Sequence, residues 1–289
     1  MTVRALKGKA GERLQPHLDR CLEGHDLFGD DFEPPELERW YEQEQSGYFD
    51  LVVEHYGGAG PTGDYAYEYE ALNRIHAIDW LLKRRYSVCV ALGCAAGDDV
   101  APLAPVVDEF LAIEPAVQWW RSEIGGKPAK YVKPTVSGDI DLRAASADLA
   151  TSFGVLHHIP NVSHVVREVA RVLAPGGIFV VREPISWMGD WRNPRIGLTA
   201  NERGLPLDWF GQSVQLAGFT IVRRHLCMTS PLVIAMSRLG IAMPFKSAVL
   251  TRIDWAISEM LAFNVRYRRD SFVRKVAPGS AFWILQRRS

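Results

Sequence analysis

The residues best suited to acid–base chemistry are two adjacent histidines and one glutamate. His157 and His158 follow a predicted strand at 149–152, and Glu183 follows another at 178–181. Ligands of open α/β sheets bind beyond the carboxyl ends of the strands, where we expect these three side chains. Histidine changes its charge near neutral pH, which suits a general base. We therefore predict that the base is His157, His158 or Glu183, although a histidine could instead hold backbone groups and Glu183 could only anchor a loop.

A long connection follows Glu183, and its composition predicts an acceptor-binding surface. Residues 184–204, PISWMGDWRNPRIGLTANERG, exceed the usual length of a strand-to-helix connection, and such loops are often functional. Aromatic faces beside guanidinium groups suit a polar acceptor such as a sugar or sugar phosphate. The alternative is a lid held by its own ion pairs, for instance between Glu202 and an arginine. The predicted acceptor-binding residues are Trp187, Asp190, Trp191, Arg192 and Arg195.

The stretch VALGCAAGDDV at 90–100 predicts a glycine turn between a strand and a helix. Its form, G-x-A-x-G, departs from the dinucleotide fingerprint because Asp98 stands at the third glycine position. Asp98 and Asp99 would also repel a pyrophosphate, at a cost of about 1–4 kcal/mol for each close contact. A ligand with cationic groups and no phosphate, such as S-adenosylmethionine, removes this conflict. Alternatively, the aspartates only cap the helix.

An acidic residue after the next strand is a second indication of a nucleoside ligand. Glu114 follows the predicted strand at 110–113 and lies 21 residues after Gly93. An acid at this place accepts hydrogen bonds from ribose hydroxyls. Glu114 could otherwise simply begin the next helix, where acids are common.

Six short motifs occur in order between about residues 86 and 185, and together they resemble the class I S-adenosylmethionine-dependent methyltransferases. VALGCAAG resembles the glycine motif of that family, with Ala95 at its middle glycine, and LAIEP resembles the motif with the ribose-binding acid. VSGD at 136–139 resembles the end of the third strand, whose acid faces the adenine amino group, and ADL at 147–149 resembles the start of the fourth. LHHIP at 156–160 and RVLAPGG at 171–177 match the motifs that follow.

The resemblance implies a Rossmann-like α/β fold with a seven-stranded sheet whose last strand is antiparallel. It implies S-adenosylmethionine as the cofactor and methyl transfer to a small acceptor, which we interpret as a hydroxyl of a saccharide or sugar-containing metabolite. Segment 63–70 is expected over the methionine end of the cofactor, with Arg74 or a tyrosine at its carboxylate. The implied cofactor-binding residues are Gly93, Cys94, Ala95, Gly97, Asp98, Glu114, Pro115, Asp139, Ile140, Phe153 and Arg74.

Short apolar runs alternate with helical segments from Tyr86 onward, which predicts βαβ units and a parallel sheet. We predict strands at 88–92, 110–113, 149–152 and 178–181, and helices at 98–108, 115–124, 162–173 and 208–217. Two late strands, at 220–225 and 281–286, are expected to pair in antiparallel fashion. Residues 1–85 are expected to form a helical cap, with helices at 36–48 and 69–85, and residues 86–289 the cofactor-binding domain.

Residues 226–277 form an insertion between the last two strands, and we predict that it is a helical cap beside the acceptor. Its helix at 248–261 has an apolar stripe, and such a stripe normally buries against a core. A dimer contact and a lipid surface are the alternatives. The apolar positions are Val249, Leu250, Ile253, Ile257, Met260 and Leu261.

Composition narrows the class of protein. The chain has 289 residues, 47% of them hydrophobic, and a formal net charge of -1, so no global field draws it toward nucleic acid. Its four cysteines include no CxxC pair, so we expect neither a metal site nor a disulfide framework, and a reducing cytoplasm is favoured. The most apolar stretch, 231–245, is too short to span a bilayer and contains Arg238.

Other hypotheses remain open from the sequence. A nicotinamide-dependent oxidoreductase is disfavoured by the missing third glycine and the two aspartates. A methyltransferase acting on an aromatic or polyketide natural product is the nearer alternative. A non-catalytic methyltransferase-like subunit, which would bind a partner through 226–277, is another. A homodimer and peripheral contact with a membrane are also left open.

Overall fold

The computed structural model describes residues 17–56, 67–193 and 195–289, with the side chains of the first segment described as far as Gly47. Residues 63–66, the first half of segment 63–70, lie outside these residues. No helix among the described residues is long and apolar enough to cross a membrane.

An eight-stranded mixed sheet forms the centre of the molecule, in the order β3-β4-β2-β1-β5-β6-β8-β7. Strands β1, β2, β4, β5 and β6 pair in parallel, whereas β8 lies antiparallel between β6 and β7. The predicted Rossmann-like α/β fold is therefore confirmed, with one short strand, β3, added by a hairpin to β4. The strands are β1 Tyr86–Leu92, β2 Val107–Ile113, β3 Glu123–Ile124, β4 Lys127–Val132, β5 Ala147–Phe153, β6 Leu173–Pro184, β7 Phe219–Thr229 and β8 Pro278–Arg287.

Helices cover both faces of the sheet. Segment 70–81 combines α2 and α3 with a π-helical turn, Arg74–Ile78, between them. On the opposite face, α4 places its valines on one stripe against the sheet, and that stripe is buried because valine recurs at three- and four-residue spacing. The helices are α1 Pro34–Tyr56, α2 Glu70–Asn73, α3 Asp79–Leu81, α4 Val162–Val172, α5 Leu207–Leu216, α6 Ser230–Arg238, α7 Ala248–Met260 and α8 Phe272–Lys275.

Two helices predicted on either side of β2 are wrong. The segment 98–108 contains only a 3₁₀ turn, Ala101–Leu103, because Pro102 and Pro105 lack the amide hydrogens that an α-helix needs. The segment 115–124 contains the 3₁₀ turn Val117–Trp119 and then β3. Residues 133–146 form no helix either, and a cavity of about 650 Å³ lies there against β1, β2 and β4, away from the carboxyl ends of the strands.

The prediction for the helix of the insertion is right in position and wrong in orientation. Helix α7 lies against β7, but it buries Thr251, Asp254 and Ser258. Of the six apolar positions predicted to be buried, Val249, Ile253 and Met260 are exposed. The reason is local: the amides of Met228 and Thr229, at the end of β7, donate to the Asp254 carboxylate at 2.7 and 2.8 Å. Satisfying two backbone donors outweighs burying the apolar stripe.

Candidate active site

The glycine turn follows β1 and has a left-handed backbone at three positions. Gly93, Ala95 and Gly97 have φ values of 56°, 47° and 91°. A Cβ at Gly93 would lie 2.6 Å from a Val155 methyl group, and a Cβ at Gly97 would lie 2.7 Å from Ile124. Both positions therefore require glycine for space as well as for conformation.

Glu114 ties the end of β2 to this turn. Its carboxylate is buried and accepts the amides of Ala95 and Ala116, both at 2.9 Å. Each carboxylate oxygen keeps a second lone pair, so the ribose hydroxyls of a nucleoside still have acceptors here. The hydroxyl of Tyr131 donates to the Ala95 carbonyl at 3.0 Å and holds the turn from the other side.

A buried aspartate and a buried arginine lie near the turn, and sequence reasoning assigned neither to the cofactor. The Oδ1 atom of Asp99 is buried without a hydrogen-bond partner. Burial, opposed by the charge of Arg182, raises the pKa of Asp99 to about 7. Arg182, on β6, donates to Asn73 Oδ1 at 2.8 Å and to the carbonyl of Phe153 at 3.3 Å. The available signal was an arginine inside the apolar run IFVVREP.

Other predicted cofactor residues are more exposed. Asp98 is exposed on the turn, and Arg74 is paired with Asp79 at 3.3 Å on the surface. Asp139 does not end a strand as its motif implies, because β4 stops at Val132 and Asp139 lies in the following loop. There its carboxylate accepts from Ser137 Oγ at 2.6 Å and contacts His164 Nε2 at 2.8 Å. The remaining predicted residues, Cys94, Ile140 and Phe153, are buried, and Pro115 also follows β2.

His157 lies between two carboxylates. Its Nδ1 is 2.7 Å from Glu183 Oε2, and its Nε2 is 3.3 Å from Glu202 Oε1. Burial alone would lower the pKa of His157, but the hydrogen bonds with Glu183 and Glu202 raise it to about 9. The imidazole is therefore charged near neutral pH and binds both acids. Glu202 was expected to pair with an arginine, and its side chain pairs with this histidine instead.

Glu183 holds the loop that follows β5. The carboxylate is fully buried, and its Oε1 accepts the amides of Val155 and Leu156 at 2.9 and 2.8 Å. Together with its bond to His157, these contacts occupy both of its oxygens. The arrangement fixes the backbone of residues 155–157 at the carboxyl end of the sheet.

His158 is the more accessible of the two histidines. Its Nδ1 is 2.9 Å from Glu44 Oε2, a buried carboxylate on α1, and its side chain is 30% exposed. Burial would raise the pKa of Glu44, but the hydrogen bonds with His158, Thr199 and Asn201 lower it. Trp40, also on α1, donates from its indole to the His158 carbonyl at 2.7 Å. Sequence reasoning missed Glu44 because it comes from a helix more than a hundred residues away.

The same region contains the one cluster, in the described part of the chain, with the geometry of a metal site. One ligand atom from each of His157, His158 and Glu202 lies within 4.8 Å of the others. Both ring nitrogens of His157 already face carboxylates, so a cation here would have to replace the proton of that imidazolium.

Residues 184–204, which we call the acceptor loop, combine internal contacts with a partly open aromatic face. Trp191 is buried and stacks on Phe28 at 5.1 Å, and Arg192 pairs with Asp190 at 2.7 Å. Arg195 donates to several backbone carbonyls within the loop, including that of Thr199 at 3.0 Å. Trp187 is only partly buried, and the guanidinium of Arg268 lies 5.4 Å from its ring. The loop thus has the internal contacts expected of a lid, while Trp187 keeps a partly open aromatic face.

Comparison with known proteins identifies a domain that contains the glycine turn, Glu114 and both histidines. A family model described as a methyltransferase domain matches residues 90–181, which span β1 to most of β6. Residues 90–181 are a methyltransferase domain. Its methyl donor is S-adenosylmethionine. A search of curated proteins finds no significant match.

Solved structures share the fold of the methyltransferase domain at low sequence identity. The [4+2]-cyclase SpnF is 17% identical with a TM-score of 0.53, over 85% of this chain and 97% of its own. The 1,6-didemethyltoxoflavin-N1-methyltransferase of Burkholderia thailandensis, solved with its substrate and S-adenosylhomocysteine, is 14% identical with a TM-score of 0.51, over 89% of this chain and 92% of its own. At such identities the likeness concerns the fold alone.

The residues around the glycine turn fit S-adenosylmethionine. The cofactor carries a cationic amino group, and the unpartnered Oδ1 of Asp99 is a buried acceptor for such a group. Its ribose hydroxyls match the free lone pairs of Glu114. A pyrophosphate would meet only the repulsion of Asp98 and Asp99.

Proposed function

We propose that this protein transfers a methyl group from S-adenosylmethionine to a hydroxyl of a small polar acceptor, with His158 as the general base. The observation that carries the proposal is the pair formed by His158 and Glu44. One ring nitrogen is held at 2.9 Å by a buried carboxylate, and the side chain is partly exposed at the carboxyl end of the sheet. An oriented, accessible imidazole is what deprotonation of a hydroxyl requires.

The residues of the chain divide the work between proton transfer and positioning. When bound, the cofactor supplies an electrophilic methyl group on its sulfonium. In the proposed step, His158 takes the acceptor proton at Nε2, and Glu44 stabilises the imidazolium that results. His157 and Glu183 act as positioning residues, because their mutual contact fixes the loop that carries His158. Alignment of acceptor and donor supplies the remaining rate enhancement.

The amino-acid end of the cofactor is assigned to Asp99 and Arg182. Asp99 accepts from the ammonium group and Arg182 attracts the carboxylate, so that the two buried charges each gain a partner. The surface pair of Arg74 with Asp79 supports this replacement of Arg74 by Arg182. The two glycines, Gly93 and Gly97, let the backbone approach the ligand closely.

A saccharide hydroxyl remains the preferred acceptor. The partly open ring of Trp187, with Arg268 beside it, suits the apolar face and polar edge of a sugar. A natural-product acceptor is the second candidate, because the Burkholderia neighbour is named for methylation of a toxoflavin precursor. All four cysteines are free and buried, in keeping with action in the cytoplasm.

Two measurements test the proposal in order. Quenching of tryptophan fluorescence is expected on addition of S-adenosylhomocysteine and not of NAD. Transfer of labelled methyl groups is then followed against a panel of saccharides and aromatic hydroxyl compounds, with His158→Gln as the matched inactive variant. Binding without transfer to any acceptor in either panel would favour the non-catalytic subunit.

A further inference from the structure

The helix α7 in the insertion between β7 and β8 buries polar side chains and exposes apolar ones. Helix α7 buries Thr251, Asp254 and Ser258 completely, and the Ser258 hydroxyl lies 2.6 Å from that of Thr229. Its apolar side chains therefore point away from the protein, with Val249, Ile253 and Met260 exposed by 65%, 45% and 75%. A helix that hides polar groups and exposes its apolar stripe departs from the ordinary burial rule and marks an interaction surface.

The exposed apolar surface continues beyond the helix. Phe263, Phe272 and Val273 are exposed by 76%, 82% and 69%. The side chain of Asn264 donates to the carbonyls of Val273 and Val276, both at 2.8 Å, and so fastens the end of α7 to α8. We call the combined surface the insertion face, which comprises Val249, Ile253, Met260, Phe263, Phe272 and Val273.

The insertion that carries this face has an excess of exposed basic residues. Residues 230–277 contain eight basic and three acidic side chains, for a net formal charge of +5. Two of the acids contribute little free negative charge, because Asp254 is buried and Asp270 pairs with Arg274 at 2.9 Å, whereas the exposed Glu259 accepts the amide of Leu226 at 2.9 Å. The exposed basic residues of the insertion are Arg238, Lys246, Arg252, Arg266, Arg268, Arg274 and Lys275.

We infer that the insertion face docks this protein on an anionic membrane surface. Two nearly fully exposed phenylalanines supply apolar side chains for the interface of the bilayer, and the surrounding guanidinium and ammonium groups match anionic headgroups. Uncharged interfaces between protein copies do not call for such an excess of positive charge. The absence of a spanning helix among the described residues is in keeping with a protein that lies on the surface.

The insertion that carries this face also contacts the acceptor loop through Tyr267. The amide of Trp187 donates to the Tyr267 carbonyl at 2.8 Å, and the Tyr267 hydroxyl donates to the Gly204 carbonyl at 3.1 Å. Docking would therefore bring the acceptor loop close to the headgroups, although the inference itself does not depend on methyl transfer.

Co-sedimentation with vesicles tests the inference on the full chain. Wild-type protein should bind vesicles of phosphatidylcholine containing phosphatidylserine, and bind neutral phosphatidylcholine vesicles at least tenfold more weakly, because basic residues near an anionic surface add to the binding. The double variant Phe263→Asp, Phe272→Asp should lose binding to both. The matched control is Leu216→Asp, which changes a side chain exposed by 87% on α5, and it should bind as the wild type does.

Three results would overturn the inference. One is the absence of wild-type binding to anionic vesicles, and another is an equal loss in the control variant. The third is a concentration-dependent dimer, seen by light scattering and abolished by the double variant, in a protein that ignores vesicles. Thermal unfolding of each variant separates these outcomes from failure to fold.

Discussion

Two adjacent histidines have different environments, and these environments favour the different tasks that we propose for them. His157 is enclosed by Glu183 and Glu202, whereas His158 is held by Glu44 through one ring nitrogen and has a side chain that is 30% exposed. A charged, enclosed imidazole cannot accept another proton, but an oriented and accessible one can. The division of labour therefore follows from burial and partners.

Replacement of the proposed base should separate chemistry from binding. We expect His158→Gln to lower kcat by about 10²- to 10⁴-fold, the usual contribution of a general base, with the Kd of S-adenosylhomocysteine unchanged. Glu44→Gln should have a smaller effect of the same kind. Calorimetry and single-turnover assays measure the two quantities. A variant that keeps its full kcat would remove His158 from the reaction.

The ribose-binding acid gives a second test at the level of one residue. Glu114→Ala should weaken S-adenosylmethionine binding by about 1–3 kcal/mol, because an unmet hydrogen bond costs about that much. The control is Glu123→Ala, an exposed glutamate on β3, which should leave the affinity unchanged. Wild-type affinity in the Glu114 variant, measured by calorimetry, would exclude this residue from the site.

The candidate metal cluster leads to a prediction about chelation. Because His157 is protonated between two carboxylates, we expect that methyl transfer needs no metal ion in the cluster of His157, His158 and Glu202. Activity should survive dialysis against a chelator, and elemental analysis of the purified protein should find less than stoichiometric metal. Loss of activity that returns on addition of one divalent ion contradicts this expectation.

At the scale of elements, the acceptor loop is held by the amino-terminal part of the chain. Trp191 stacks on Phe28, and the backbone amide of Asn201 donates to Glu44 Oε1 at 2.9 Å. These contacts place the loop over the histidines as a lid. Arg192 and Arg195 are bonded within the loop, so any part that the loop plays in acceptor selection would depend on its position.

Loosening this lid should affect the acceptor and not the cofactor. We expect Trp191→Ala to raise the KM for the acceptor several-fold, because the stacked aromatic pair contributes about 0.5–1.5 kcal/mol beyond its buried area. Cofactor affinity should stay unchanged. Ile196→Ala, at a fully exposed position of the same loop, is the control. An equal fall in both affinities would mean that the mutation acts through folding.

Local patterns predicted the elements well where propensity and burial agree. The strands β1, β2, β5 and β6 and the helices α4 and α5 match their predicted positions, since each has a clear apolar period. The helix predicted at 98–108 does not form because the segment contains Pro102 and Pro105. The buried face of helix α7 was predicted wrongly. It is set by the amides of Met228 and Thr229, which donate to Asp254, and the local sequence pattern does not indicate this long-range contact.

The site was predictable in part for the same reason. Motifs located Gly93, Gly97 and Glu114, which act through backbone geometry close in sequence. Glu44 and Arg182 become partners of site residues only through long-range packing, so no local spacing revealed them.

At the scale of the whole molecule, the buried Asp99 should link stability to pH. Its folded-state pKa of about 7 lies above the ordinary value of 3.8, because burial disfavours the carboxylate. The folded protein therefore holds the proton more tightly than the unfolded chain does. Stability from this group is complete at low pH and is lost as pH rises from about 4 to about 7.

Chemical denaturation of the cofactor-free protein measures this link. Between pH 5 and pH 8, the free energy of unfolding of the wild type should fall by about 1–3 kcal/mol more than that of Asp99→Asn, since one pKa unit corresponds to about 1.4 kcal/mol. Identical pH profiles would show that Asp99 is not protonated in the folded state. Saturating S-adenosylhomocysteine, by supplying a cationic partner, should reduce the difference.

The position of β8 has a consequence for how the protein is made. Strand β8 is the last of the eight in the chain, yet it lies between β6 and β7. During synthesis, both of these strands emerge before their common neighbour exists, and each keeps an unpaired edge until residues 278–287 arrive. Because β6 carries Glu183, and because Ile185 donates its amide to the Gly279 carbonyl, the carboxyl end of β6 is completed only then. Until then the unpaired edges of β6 and β7 could pair with strands of other proteins, and chaperones are suited to preventing such pairing.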